Sequence, residues 1–271
     1  MAAPCGADDC TERGSQLTSV EIAQQQYDTQ AAAYTHSKNA AWREHVEKYT
    51  LDYLNGDLRG CYVIDLACGN GHYTRWLRRV KGAKRVLGVD LSAEMIKLAL
   101  DEETRNPLGI DYLCSDVHKL GGEQVRGYDT VIAAYLLNYA SSFGELLGFC
   151  QIVHEMLPDG GKFFSINNSP HDSALSNPSL HKYGFMKIRE HTREGARVQY
   201  KMLDADGQTT CTIDNYAFSR TMFDRAFRQA GFKSFGYASL NVSPAGIAEY
   251  GPEYWSDLLD AQPVEGIWAI K

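Results

Sequence analysis

Three carboxylates, Asp65, Asp90 and Asp116, stand at the ends of three successive short apolar runs, and glycines follow the first of them. Cys61 to Leu66 reads as a buried strand that runs into Asp65-Leu66-Ala67-Cys68-Gly69-Asn70-Gly71, with a helix beginning just after. Glycines at the end of a first parallel strand let a ligand approach the backbone, at the edge where open α/β sheets bind ligands. Asp90 ends the second strand nineteen positions beyond Gly71 (90 − 71), near the ~20-residue offset at which an acid reaches a ribose diol. Asp116 follows the third strand in Cys114-Ser115-Asp116-Val117, where it could accept a hydrogen bond from an adenine amino group. Each acid alone is as readily a solvated loop residue or a helix cap. Three of them in this order are much harder to explain so.

Two details separate the possible ligands. The third glycine of G-x-G-x-x-G would fall at Thr74, so a pyrophosphate loop is incomplete. Asp65 sits just before the loop, where its charge would repel a diphosphate and welcome an ammonium. S-adenosylmethionine carries an α-ammonium and a sulfonium and no phosphate, so the acid favours it over a nicotinamide dinucleotide.

The elements that must hold these residues alternate along the chain. The stretch with Tyr27 and Tyr34 reads as a helix, and Ala40 to Leu54 as another with Trp42, Val46, Tyr49 and Tyr53 on one apolar, core-facing stripe. Strands follow at Arg85 to Asp90, Ile110 to Cys114, Tyr128 to Tyr135 and Lys162 to Asn167. The helices between them carry Tyr73, Trp76, Leu77 and Val80, then Met95, Ile96, Ala99 and Leu100, then Leu146 to Leu157. Such alternation is the mark of a parallel sheet covered on both faces. After Asn168 the rhythm changes: Tyr183 to Glu190, Arg197 to Leu203 and Thr209 to Phe218 read as strands without helices. Asp204-Ala205-Asp206-Gly207 supplies a hairpin turn between the last two. The polar run Asn167 to Asn177 reads as a loop over the site. A helix with Met222, Phe223, Ala226 and Phe227 returns, and Phe232 to Val242 and Val264 to Ile270 read as closing strands.

Composition narrows the function classes. With 27 Lys plus Arg against 34 Asp plus Glu, the net charge of −7 argues against a nucleic-acid partner, which needs clustered positive charge. The cysteines number seven, an odd count without a Cys-x-x-Cys pair, so neither a disulfide framework nor a metal site is expected. No apolar run approaches the ~20 residues that span a bilayer, and Met1 to Gln16 lacks the layout of a signal peptide. A cytoplasmic protein with a disordered leader at residues 1–16 is the expectation, with no membrane partner and with oligomeric state left open.

The chain resembles the class I S-adenosylmethionine-dependent methyltransferases. Val63 to Gly71, Gly88-Val89-Asp90-Leu91-Ser92, Ser115-Asp116, Tyr128-Asp129-Thr130-Val131 and Leu157-Pro158-Asp159-Gly160-Gly161 carry the likeness, in order and at the family's spacing. The resemblance implies a Rossmann-like α/β three-layer sandwich. Its seven-stranded, mostly parallel sheet would have an antiparallel last strand, here Val264 to Ile270. Residues 17–271 would form one methyltransferase domain, with an N-terminal helical cap (17–56) and a β insertion (about 170–218) after strand five. Asp65, Gly69 and Gly71 would lie under the methionine part, Asp90 on the ribose hydroxyls and Asp116 on the adenine. Ala67, Leu91, Met95, Ser115, Val117 and Tyr135 would complete the cofactor's surroundings. Tyr27 and Tyr34 would fold over it, a hydroxyl on its carboxylate and a ring toward its sulfonium.

Tyr27-Asp28-x-x-Ala31-x-x-Tyr34, Leu136 to Ala140, Lys182 to Phe185 and Tyr254-Trp255 look like the toxoflavin-type methyltransferases of small heterocycles. On that likeness the product would be S-adenosylhomocysteine and a methylated nitrogen or oxygen of a small aromatic or heterocyclic acceptor. Asn138 and Tyr139 follow strand four and are expected beside the transferred methyl, with His171 as a candidate base. Tyr27, Tyr34, Tyr135, Asn167, Asn168 and Tyr183 are further candidates for the acceptor side, and His181 is a second candidate base. A non-catalytic S-adenosylmethionine-binding protein and a nicotinamide-dependent reductase are the alternatives.

Overall fold

The computed structural model describes residues 17–121, 125–169 and 175–271; the leader expected at residues 1–16 lies outside them. Helix α1 (Ser19–Ser37) opens with Thr18 and Glu21 in a reciprocal capping box, which satisfies two otherwise unpaired amides. A π-helical turn, Arg43–Glu47, leads straight into α2 (Lys48–Asn55). There follow β1 (Tyr62–Leu66), α3 (His72–Arg79), β2 (Arg85–Asp90), α4 (Ala93–Arg105), β3 (Asp111–Cys114), β4 (Thr130–Ala134), α5 (Phe143–Met156) and β5 (Lys162–Asn168). Strands β6 (Phe185–Arg189), β7 (Ala196–Leu203) and β8 (Thr209–Ala217) come next. The chain ends with α6 (Arg220–Ala230), β9 (Ser234–Ala238), α7 (Pro244–Tyr250), α8 (Ser256–Ala261) and β10 (Val264–Ile270).

The main sheet has seven strands, as the family resemblance implies, in the order β3-β2-β1-β4-β5-β10-β9. Strands β1 to β5 are parallel, and β10 lies antiparallel to both β5 and β9. Val63, Ile64, Val89, Val131 and Ile132 are fully buried because helices cover both faces. One core gathers Trp42, Val46, Trp76, Leu77 and Met95. The other gathers Leu146, Phe149, Val153, Phe223 and Phe227 on the opposite face. Strand β1 pairs with β2 on one side and β4 on the other, so the strand order reverses there. That reversal opens a crevice at the carboxyl ends of the strands.

Strands β6 to β8 form a separate antiparallel sheet, whose inward residues Phe185, Tyr200 and Met202 pack in the same core as Trp42. Strand β8 is its edge, and α1 closes that edge. Gln30 Oε1 accepts from the Thr212 amide at 2.9 Å, while its Nε2 donates to the Thr212 carbonyl at 3.0 Å. Gln26, one turn earlier, accepts from the Asp214 amide at 2.7 Å. Two side-chain amides thus stand where a neighbouring strand would pair, and the exposed-edge hazard is removed.

Several expectations fail for physical reasons. Trp42 and Val46 are buried, but Tyr53 is 75% exposed. The π turn advances the helical phase, so the buried stripe continues through Thr50, Leu51 and Asn55 instead. Val80, the C-terminal cap of α3, is 60% exposed and Leu100 46%, both outside the stripes assigned to them. The polar run from Asn167 begins inside β5, where Asn167 and Asn168 are buried. Helices α7 and α8, of seven and six residues, are too short to show a periodicity, so they escaped notice.

Candidate active site

The glycine turn after β1 is fixed by the end of β2. The Cys68 amide donates to the Val89 carbonyl at 3.0 Å, and the Gly69 amide to Asp90 Oδ2 at 2.7 Å. Asp90 Oδ1 takes the Ser92 amide at 2.9 Å. Burial pushes the Asp90 carboxyl above its ordinary range, and these amides oppose the rise. Each oxygen keeps a lone pair for hydroxyl donors in the cleft. Gly69 adopts φ +55°, and a Cβ built there would meet nothing within 4 Å, so a side chain would stand in open space.

This turn lines a cleft of about 950 Å³ including its open mouth, within the ~300–1,000 Å³ typical of small-molecule sites. Ala67, Leu91, Val117, Tyr27, Tyr34 and Tyr135 line it, as expected, and so does Asp116. The Asp116 carboxylate also caps a short 3₁₀ turn, accepting the His118 amide at 2.9 Å. The inner helix α1 forms one wall through Ser19, Val20 and Ala23. Two non-glycine residues in the cleft hold left-handed backbone, Ala67 at φ 57° and Tyr135 at φ 73°. Such strain costs on the order of 1–3 kcal/mol each and persists only where surrounding contacts impose it, commonly at functional sites.

Asp65, Gly71, Met95 and Ser115 are not at the cleft wall. Asp65 is 1% exposed and accepts the Thr74 hydroxyl at 2.6 Å, so the residue standing in place of a third glycine anchors the acid beneath the loop. Burial pushes the Asp65 carboxyl up to about 7, against the Thr74 bond. Gly71 starts α3 at φ +80°, and a side chain there would run into the Tyr112 hydroxyl. The Met95 side chain is core, and Ser115 bonds its own turn through the Asp116 carbonyl at 3.2 Å.

A second, smaller cavity of about 320 Å³ lies toward β7 and β8. Tyr27, Tyr34, Tyr135 and Tyr139 line both cavities, so their rings stand between them. The Tyr27 and Tyr139 hydroxyls are hydrogen-bonded to each other, and burial pushes both phenols well above their ordinary range. Behind them lies a buried ion pair that the sequence reading missed. Arg43 Nη1 donates to Glu47 at 2.8 Å and 3.1 Å, and Glu47 also accepts the hydroxyls of Tyr73 and Tyr135. Burial would raise the Glu47 carboxyl, but Arg43, Lys38 and the two hydroxyls together hold it below its usual value. Lys38, also missed, lines the cleft with its ammonium 4.8 Å above the Tyr34 ring and 5.2 Å from that of Tyr73. The available signal was an opposite-charge pair at i, i+4 set directly beside Trp42 and Val46 on an apolar stripe.

Among the expected acceptor-side residues, Tyr27, Tyr34, Tyr135 and Tyr139 line both cavities, and the other described ones line neither. Asn138 is a brace: its Oδ1 accepts the Asn168 amide at 3.0 Å. Asn168 in turn donates to Asn215 Oδ1 at 2.9 Å, and Asn167 donates to Ser165 Oγ at 2.6 Å. Tyr183 packs flat on Trp255 and donates its hydroxyl to the Tyr254 carbonyl at 2.6 Å. His181 is exposed and lines neither cavity. His171 lies outside the described residues.

Residues 63–161, a little over a third of the chain, match the family described as methyltransferase domain. That stretch is a methyltransferase domain. A ubiquinone biosynthesis O-methyltransferase from Xanthomonas oryzae pv. oryzae is 30% identical over 130 residues, 46% of this chain and 52% of the relative. The chain therefore matches about half the length of the curated relatives. Among solved structures, an S-adenosylmethionine-dependent methyltransferase from Mesorhizobium loti superposes with a TM-score of 0.58 at 22% identity, covering 87% of this chain and all of the other. The magnesium protoporphyrin IX methyltransferase of Synechocystis with bound S-adenosylhomocysteine gives 0.57 at 15%, over 94% of this chain and all of the other. Both carry the same fold. S-adenosylmethionine is the methyl donor that a domain of this kind uses. Among the described residues no helix is long and apolar enough to cross a membrane.

Proposed function

We propose that the whole chain transfers the methyl group of S-adenosylmethionine to an oxygen or nitrogen of a small aromatic molecule. The observation that carries this reading is the paired geometry: a cleft floored by Gly69 and Asp90, and an aromatic cavity separated from it only by tyrosine rings. The cleft's donor set fits the cofactor. Asp90 offers two acceptor oxygens to a diol, Leu91, Val117 and Phe149 offer an apolar slot to a base, and Gly69 leaves room for close approach. Lys38 is the cation placed to meet a carboxylate, and Asp116 keeps acceptor capacity for an amino group. Asp65 acts indirectly, through the turn it holds with Thr74. The toxoflavin-type likeness stays within this proposal as support for a small heterocyclic or phenolic acceptor.

The bound cofactor supplies an already activated methyl group, so the chain's task is positioning and exclusion of water. Tyr27, Tyr34, Tyr135 and Tyr139 frame the passage along which the acceptor atom would face that methyl. Holding reacting atoms at roughly 3–3.5 Å in line accounts for several kcal/mol of barrier lowering by itself. Calorimetric titration with S-adenosylhomocysteine tests the reading. The wild type should bind with one-to-one stoichiometry, and Asp90→Ala should weaken binding at least tenfold, since a hydrogen bond to a charged group contributes about 1.5–3 kcal/mol. Absence of binding to a folded wild type would overturn it.

A further inference from the structure

The small cavity behind the tyrosines has one charged residue among its described lining, and that residue is Arg43. The guanidinium is almost fully buried, with the chain around it 3% exposed. Its donors are unevenly used. Nη1 is committed to Glu47, Nη2 reaches only the Met202 sulfur at 4.0 Å, and Nε has no partner at all. A buried, unpaired donor on a cation is costly unless something accepts from it. The surroundings explain what could. Arg43 stacks 4.7 Å from the Trp42 ring and lies about 6 Å from those of Tyr34 and Tyr135. The rest of the lining is aromatic or apolar apart from Asn215.

We propose that Arg43 is a specificity-determining residue that binds the methyl acceptor as an anion, namely the phenolate form of a single-ring hydroxylated aromatic compound. This rests on the methyltransferase reading above and adds the substrate class to it. The cavity is narrow, which favours a single ring over a fused or prenylated system. The aromatic lining supplies faces for that ring.

Charges facing the site come from several elements. Glu47 on the π turn is negative, Arg43 beside it and Lys38 after α1 are positive, and Tyr73, Tyr135, Tyr139 and Tyr200 are neutral phenols. The described surroundings thus carry one net positive charge, and no ion pair joins Lys38 to a carboxylate among the described residues. A bound phenol would release its proton to bulk water and leave its oxygen's charge opposite Arg43. That oxygen's electron pair forms the new oxygen–carbon bond as the carbon–sulfur bond breaks and its pair leaves with sulfur. No general base is required, which accounts for the absence of a free carboxylate or histidine among the described residues lining the cavity.

The test uses 4-nitrophenol, whose ionised form absorbs in the visible, and 4-nitroanisole, its matched ether that cannot ionise. At a pH where free 4-nitrophenol is mostly protonated, the wild-type chain with S-adenosylhomocysteine should raise the phenolate band saturably. Calorimetry should show 4-nitroanisole binding at least tenfold more weakly. The double variant Arg43→Met with Glu47→Gln, which removes both buried charges together, should lose the phenolate band and the tenfold preference. Binding of the neutral phenol without a phenolate band, or equal affinity for the ether, while S-adenosylhomocysteine still binds, would overturn the proposal and leave the methyltransferase reading intact. Loss of S-adenosylhomocysteine binding by the folded wild type would bring down both. The wild-type comparison decides the matter whether or not the double variant folds.

Discussion

Asp65 carries the largest consequence of any single side chain outside the cleft. Its carboxyl titrates near 3.8 when unperturbed and is pushed up to about 7 by burial in the folded chain. Between those values the folded chain holds more protons than the unfolded one. Stability therefore falls as pH rises through that window and is flat above it. Asp65→Asn keeps an oxygen for the Thr74 hydroxyl and carries no charge to bury. It should raise the unfolding midpoint at pH 8, by an amount corresponding to a few kcal/mol at most, and change little at pH 4. A midpoint lowered at pH 8 would show that the ionised carboxylate is needed. Tyr135 tests the neighbouring network. Tyr135→Phe removes one of the donors that Glu47 accepts, so urea denaturation should show a loss of roughly 1–3 kcal/mol, the cost of leaving a buried acceptor short. An unchanged midpoint would mean that Arg43 and Tyr73 suffice. Both Asp65 and Thr74 stood out in the sequence, but their contact with each other did not, because an unexpected threonine at a glycine position reads as a departure rather than as a partner.

Helix α1 joins the two sheets. Its Gln26 and Gln30 pair with the edge of β8, its Asp28 accepts the Ser92 hydroxyl at the start of α4 at 2.5 Å, and Ser19 donates to Glu145 of α5 at 2.8 Å. The helix is polar on several sides because it meets β8, α4 and α5 through polar side chains. That is why its tyrosines were legible from the sequence and its glutamines were not. Replacing both Gln26 and Gln30 by alanine should leave the Thr212 and Asp214 amides unpaired at the sheet edge. Hydrogen exchange at these two amides should then quicken about two- to tenfold, consistent with losing contacts that each contribute about 0.5–1.5 kcal/mol. Unchanged exchange there would place the control of that edge elsewhere. The π turn shows the opposite limit of pattern reading. A strict helical period carries Trp42 and Val46 to Tyr49 and Tyr53, whereas one wider turn swings Tyr53 into solvent and brings Arg43 and Glu47 inward. No propensity marks such a turn, so the sequence carried the ion pair only as opposite charges at i, i+4 beside an apolar stripe.

At the scale of the molecule, most strand positions were readable because β1, β2, β4 and β5 are largely buried apolar runs, while the reversed final strand was implied by the family resemblance. Pairing registers confirm the reversal of β10 against β5 from Val264 opposite Asn168 to Ile270 opposite Lys162. The nucleotide side of the site was legible for the same reason, since Gly69, Asp90 and Asp116 sit at strand ends, where sequence and position coincide. The proposed acceptor side was legible only in its tyrosines, Tyr27, Tyr34, Tyr135 and Tyr139, because the cavity they share with the π turn, β7 and β8 is a product of packing between distant segments. On the proposed reading, a strand-end cleft holds the cofactor, a tyrosine-walled annex holds the acceptor, and the two act together on one methyl group. The most direct measurement incubates the protein with S-adenosylmethionine bearing a deuterated methyl and with a single-ring phenol, and analyses the products by mass spectrometry. The account predicts a phenyl ether carrying the intact deuterated methyl, formed together with an equal amount of S-adenosylhomocysteine. Cofactor that binds yet stays unconsumed across phenolic and nitrogen-containing aromatic acceptors would contradict it.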